Sequence, residues 1–170
     1  MSDSAPRISA EKLTDVELMR RACAMTMHGG RSRISLKRMY CCEHSPMRTQ
    51  LFWIEMLDIP TFVSVHLVRH KIGVEHFVMS NRDDRGGDDR VDRLSPVNHA
   101  MLINAQSLVN LARKRLCSKS HVETMRTMEA IRQAIAAVDP DLAACMIAEC
   151  DYRGGVCHEL QPCGRAPAAD

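Results

Sequence analysis

Arg69-His70-Lys71 closes an apolar run that begins at Val63, and Ser80 and Arg82 follow after a short apolar stretch. Adjacent cations at the end of a buried element are costly unless something anionic meets them. Guanidinium forks meet phosphate or pyrophosphate with paired, charge-assisted hydrogen bonds, whereas Lys71 offers a point charge. His66 and His76 flank the triplet, and imidazole can donate or accept a hydrogen bond. The chemistry this stretch suggests is the binding of something anionic. A plain basic helix end is the competing reading of the triplet, since cations suit helix C-termini.

The elements that must position these residues follow from periodicity. Thr61 to Arg69 is expected to be a helix packed back on a strand at Leu51–Leu57, with Asp58-Ile59-Pro60 as the turn between them. Gly73 breaks that helix, and Glu75 to Ser80 has strand composition. Residues 1–9 read as a loose leader. Apolar residues recur at helical spacing from Ala10 to His28, and Gly29-Gly30 stops that helix. Ile34 to Cys42 offers a second short helix, and Ser45-Pro46 caps a further helical turn. Ser95-Pro96 is expected to start one long helix reaching Cys117. Helices over about Ser120–Val138 and Asp141–Glu149 complete the scaffold. Residues 81–93 form a charged loop, read either as solvated chain or as a lid whose arginines reach an anion.

At 170 residues and a formal net charge of +2, the chain reads as one domain that does not bind nucleic acid by bulk charge. No apolar run is long enough for a membrane span, and the polar N-terminus carries no signal-peptide core, so a cytoplasmic location is expected. Aromatic residues make up only 4% while methionines number 12, which predicts an aliphatic, methionine-rich core. The fold class expected is α+β: a small, mostly antiparallel sheet flanked by helices.

A longer pattern surrounds the basic triplet. Ser45-Pro46-Met47 is followed by alternating Phe52, Ile54 and Met56, then by Asp58-Ile59 and His66-Leu67-Val68-Arg69-His70-Lys71. This resembles the flavin-dependent thymidylate synthases. Their Ser-x-Leu-Glu-His helix start precedes an alternating Phe strand and a Gln-Leu-x-Arg-His-Arg element, then Ser, Asn-Glu, Ser and Arg-Tyr. The spacing from Ser45 to Arg69 fits without a gap. The resemblance extends over roughly residues 40 to 117, where Ala112-Arg113-Lys114-Arg115-Leu116-Cys117 is similar to the family's Ala-Arg-x-x-Leu-Pro. Arg48-Thr49 stands where the family has Glu-His, His66 replaces a Gln, Lys71 replaces an Arg, and Glu75-His76-Phe77 lies near the Asn-Glu. A one-residue insertion places Ser80 and Arg82 on the family's Ser and Arg; without it Met79 and Asn81 fall there. The family's late Gln-x-Glu-Ile-Arg segment has no counterpart.

The resemblance implies a cofactor side made of Arg69, His70, Lys71, Ser45 and Thr49. It implies a substrate side made of His66, His76, Ser80, Arg82 and Arg113, with Ser80 and Arg82 as its catalytic pair. It implies FAD, NADPH and methylenetetrahydrofolate, with a one-carbon unit passed to C5 of a pyrimidine deoxynucleotide. Conversion of dUMP to dTMP is the default, and methylation or hydroxymethylation of dUMP or dCMP is the alternative. It also implies a homo-oligomer, a tetramer with shared active sites. A protein that kept the fold, lost flavin and only binds nucleotide or nucleic acid is the rival reading.

Cys145, Cys150, Cys157 and Cys163 fall late in the chain with four, six and five residues between successive members. Residues 150–170 form a Cys- and Gly-rich tail. The first gap just reaches the Cys-x(2–4)-Cys range of zinc sites, but Cys145 is expected on a helix and the other gaps are looser, so ordinary thiols are expected, with a structural zinc through Cys150, Cys157, His158 or Cys163 as the alternative. His44, His66, His76 and Glu75 hold no short His-x-x-x-His pair among themselves, and no metal is expected there. His99 and His121 read as histidines on helical surfaces.

Overall fold

The burial pattern over residues 96–104 decides the architecture. Val97, His99, Met101 and Ile103 are buried, while the residues between them are exposed or partly so. That period of two belongs to a strand, not to the helix expected from Ser95-Pro96. The computed structural model describes residues 6–28, 34–88 and 90–169. In it β1 (Arg7–Lys12), β2 (Leu51–Pro60), β3 (Val74–Val78) and β4 (Pro96–Asn104) form one antiparallel sheet in the order β1-β2-β4-β3. β4 is central: Met101 faces Ile54 of β2 on one side and His76 of β3 on the other. The helix expected to run on to Cys117 begins only at Ala105, where the Asn104 side chain accepts from Ser107 N at 2.9 Å.

The N-terminal expectation is corrected as well. Arg7–Ser9, read as loose leader, belong to edge strand β1, and Ala10–Lys12, read as helix, continue it. α1 (Val16–Met25) starts after Asp15, whose carboxylate accepts from Leu18 N at 2.9 Å. The Gly29-Gly30 stop lies outside the described residues. α2 (Leu36–Cys41) is capped by Ser35. Ser45–Thr49 form a 3-10 turn in which His44, not Ser45, holds the cap position. α3 (Thr61–Leu67) turns back from β2 as expected. α4 (Ala105–Arg115) and α5 (Val122–Val138) follow. The helix expected at Asp141–Glu149 is instead two single turns, α6 (Pro140–Ala143) and α7 (Glu149–Tyr152), with Cys145 in the bend between them.

Alternation in the strands sends Phe52, Ile54, Met56, Met101 and Ile103 to one face of the sheet, where all are buried. They join Leu108 and Leu111 of α4 and Met128, Ile131 and Ile135 of α5 in one core. Each such side chain contributes about 1.5–3 kcal/mol by leaving water. Met19, Met39, Met47 and Met146 fill the margins, so the core is methionine-rich as its composition implies. The opposite face is open, with the Trp53 and Phe77 rings tilted together at 5.3 Å between centroids. The observed class is the α+β arrangement expected: a four-stranded antiparallel sheet with helices.

Candidate functional site

The α3 C-terminus and the turn to β3 carry the basic triplet. Val68 N donates to Ser64 O and His70 N donates to Leu67 O, each at 3.0 Å, so the helix ends tightly before the cations. Gly73 then closes the turn at φ +69° and its carbonyl accepts from Asn104 N at 3.1 Å. Ser107 Oγ donates to Ile72 O at 2.6 Å, so the turn is fastened to the N-terminus of α4. A Cβ at position 73 would meet Asn104 Nδ2 at 2.2 Å and Ser107 Oγ at 2.4 Å. Gly73→Ala should therefore lower unfolding stability by roughly 2–4 kcal/mol, combining left-handed strain with a disturbed helix cap. Urea denaturation at neutral pH measures it, and a loss below about 0.5 kcal/mol would show the turn free to shift.

Around this turn the tertiary structure gathers cations that the sequence pattern did not unite. Burial, the largest cause, and then the neighbouring Arg115, Arg69, His121 and Arg93 hold the His66 pKa below the ordinary imidazole value. His66 Nδ1 lies 2.8 Å from Thr124 Oγ1 of α5. Arg115 donates from Nη2 to the His66 carbonyl at 2.5 Å. Its Nε is buried and has no hydrogen-bond partner among the described residues. Arg93 lies over the Phe62 ring at 5.0 Å, and His121 packs edge-on against the same ring at 4.5 Å. Among the described residues no carboxylate pairs with Arg69, Arg93 or Arg115. Such a gathering of unneutralised cations, one with an orphaned buried N–H, fits an anionic group such as a phosphate or pyrophosphate.

The other residues singled out in the sequence are placed differently. Arg113, two positions before Arg115, points to another face of α4. There it is ion-paired with Glu43 and its guanidinium stacks on Tyr152 at 3.4 Å. Gln106 Nε2 donates to the same Glu43 at 2.6 Å. The Arg113 and Gln106 hydrogen bonds outweigh burial and hold the Glu43 carboxyl below its usual range. Arg82 is exposed and grips Asp84 through Nε and Nη2 at 2.9 and 2.7 Å, within its own loop. Ser80 Oγ accepts from Arg82 N at 3.4 Å. Thr49 Oγ1 donates to Pro46 O at 2.8 Å, while Ser45 is exposed at the start of that turn. Lys71 is exposed, and His70 is partly buried. The sequence does not unite Arg93, Arg115 and His121 with the triplet because their neighbours in space are remote in the chain. Sequence reasoning misplaced His99 because β4 was read as helix; the alternation of Val97, His99, Met101 and Ile103 was the available signal.

The comparisons with known proteins speak to the fold. A crystal structure of thymidylate synthase X from Helicobacter pylori, with FAD and dUMP, is similar at a TM-score of 0.63 and 15% identity. The match covers 82% of this chain and 99% of that one. The fold is that of thymidylate synthase X. No family model matches the chain, and no curated protein is significantly similar to it in sequence. In this fold the basic triplet sits beside the sheet at the α3–β3 turn, and α4 brings Arg115 to it.

Three of the late cysteines gather at one cavity, while Cys145 lies against Cys41. Cys117, Cys150, Cys157, Cys163 and His158 line one small cavity with Lys114. Cys157 anchors the tail, its N–H donating to Pro167 O and its carbonyl accepting from Ala169 N, both at 2.8 Å. Among the described residues no three His, Cys, Asp or Glu side chains are grouped so as to hold a metal ion. Among them, too, no helix is long and apolar enough to cross a membrane.

Proposed function

We propose that the protein is a flavin-dependent enzyme that transfers a folate-derived one-carbon unit to C5 of a pyrimidine deoxynucleotide, with dUMP as the default substrate. The observation that carries the reading is the gathering of Arg69, Arg93 and Arg115, with no carboxylate partner among the described residues, around the His66 imidazole on a thymidylate synthase X fold. The buried, unpartnered Arg115 Nε and the carboxylate-free surroundings suit the pyrophosphate of FAD. Arg69, His70 and Lys71 would hold that cofactor, with Ser45 and Thr49 at its edge. Bound flavin supplies the redox and carbon-carrying chemistry, drawing on NADPH and methylenetetrahydrofolate. The protein's own part is orientation: Phe62 backs Arg93 and His121, Thr124 fixes the His66 ring, and α4 delivers Arg115. Ser80, Arg82, His66 and His76 form the substrate side of the proposal. Arg82 must release Asp84 to meet a phosphate, which makes the 81–93 loop the part that responds to substrate.

Exposed Ile72, Phe77, Met79 and Leu94 flank the site and support assembly into a homo-oligomer, a tetramer in this reading. A second reading, a nucleotide-binding protein without flavin chemistry, is favoured by one observation: Thr49, standing where the family has a His, spends its hydroxyl on Pro46 O within its own turn. Titration of the purified protein with FAD, read by flavin fluorescence and absorbance, separates the two. Saturable binding is expected, weakened about tenfold or more by Arg69→Ala or Arg115→Met, the scale of one charge-assisted hydrogen bond. A protein that takes up no FAD would overturn the enzyme reading. If FAD binds, NADPH oxidation stimulated by dUMP rather than dCMP selects thymidylate synthesis, and the reverse selects a cytosine modification.

A further inference from the structure

Behind the cationic turn lies a run of hydrogen bonds that the proposed chemistry does not call on, although His76 and His70 also belong to the proposed site. Ser64 Oγ of α3 is 3.0 Å from His99 Nδ1 of β4. His99 Nε2 is 2.9 Å from His76 Nδ1 of β3. His76 Nε2 is 2.7 Å from the His70 carbonyl oxygen. Ser64 and His99 are buried, at 3% and 2% exposure, in an otherwise apolar layer. The chain leaves α3, crosses two strands and returns to the turn that ends α3.

Its polarity follows from its last member. A carbonyl oxygen only accepts, so His76 Nε2 must carry the proton. Neutral His76 then accepts at Nδ1, so His99 Nε2 must donate. Neutral His99 in turn accepts at Nδ1, and the Ser64 hydroxyl donates to it. With both rings neutral, one arrangement satisfies every member, and each ring is the Nε2–H tautomer. Burial, the larger cause, and the neighbouring His76 favour a neutral His99.

We propose that Ser64, His99 and His76 are positioning residues. Their oriented hydrogen-bond chain fixes the His70 carbonyl, and so the backbone that aims Arg69 and Lys71 at an anionic ligand. None of the three needs to touch that ligand. Its occupant as FAD rests on the proposed function; the anchoring of the turn does not. Glutamine can replace either histidine in kind, because its amide carries one donor and one acceptor on a side chain of similar reach. Phenylalanine fills the space and carries neither.

FAD titrations of folded His76→Phe, His76→Gln, His99→Phe, His99→Gln and Ser64→Ala variants test the idea, with thermal melts to verify folding. Each Phe variant should lose about tenfold or more in FAD affinity, while each Gln variant stays within about threefold of the unmodified protein. A merely structural role would track melting temperature and would not show rescue by Gln at equal stability. Phe variants with unchanged affinity, or Gln variants as weak as Phe, would overturn the proposal. If a Phe variant does not fold, Ser64→Ala decides, with a several-fold loss expected and an unchanged affinity counting against the chain. If the unmodified protein binds no FAD, the cofactor reading fails by itself. Ring nitrogen NMR and amide exchange then judge the anchor. Nε2–H tautomers at His76 and His99, with faster exchange at residues 68–73 in Ser64→Ala, would uphold it. An Nδ1–H tautomer at His76, or unchanged exchange, would refute it.

Discussion

Asp139→Ala should cost about 3–5 kcal/mol of unfolding stability, as expected when one partner of a buried, hydrogen-bonded ion pair is removed. Asp139 is only 4% exposed. Its Oδ2 accepts from Lys12 Nζ at 2.6 Å and from Tyr40 Oη at 2.7 Å. Its Oδ1 caps α6, accepting from Leu142 N at 3.1 Å. One carboxylate thus joins β1, α2 and the α5–α6 junction. Alanine would leave the Lys12 ammonium, itself largely buried, without a counter-charge and the Tyr40 hydroxyl without its acceptor. Burial, helped by Asp139, already drives the Tyr40 pKa upward, so its proton stays on to donate. Asp139→Asn preserves the cap and an acceptor for Tyr40 and loses only the charge, so it should fall between the native protein and Asp139→Ala. Urea denaturation of the three proteins at neutral pH gives the values. An Asp139→Ala loss under about 1 kcal/mol would mean that water reaches Lys12 and Tyr40 and that the knot contributes little.

Acidification should destabilise the fold before its carboxylates begin to titrate. His99 has its pKa pushed down to about 4 from an ordinary 6.5, first by burial and then by the charge of His76. His70 is likewise lowered to about 4, by burial first and then by Arg115, His76 and Lys114. Between these values the unfolded chain binds protons that the native one refuses, so stability rises with pH across the window. The His99 contribution is complete above about pH 6.5 and is lost as pH falls through 4. For this buried ring the total is about 3 kcal/mol at 1.36 kcal/mol per pH unit. His70 is partly exposed and adds less. Urea midpoints at pH 7, 6, 5 and 4 should fall progressively, and His99→Gln should remove much of the slope. A flat profile to pH 5 in the native protein would show that His99 can be protonated in place.

The sequence by itself determined a good deal. Strand β2, helix α3 and the Gly73 break are legible in alternation and composition around residues 51–73, and the basic triplet with its flanking histidines announces an anion site. The resemblance to flavin-dependent thymidylate synthases over residues 40 to 117 implies the fold that the structure has. Local sequence misled where two periods coincide. Val97, Met101, Leu102, Ala105 and Leu108 fit a helix, and only pairing with strands on both sides settles residues 96–104 as β4. Edge strand β1 exists because β2 pairs with Arg7–Lys12, a contact no local signal announces.

Tertiary structure alone decided which arginines are free. Arg113 and Arg115 are equivalent by composition and near neighbours in sequence, yet their separation on α4 turns one toward Glu43 and the other toward His66. Packing, not sequence pattern, also made His99 a buried link rather than a surface residue, because its ring lies between Ser64 and His76. Residue types and spacing thus mark the Arg69–Lys71 turn as cationic. Burial and non-local hydrogen bonds decided what surrounds it, since both depend on neighbours that are distant along the chain.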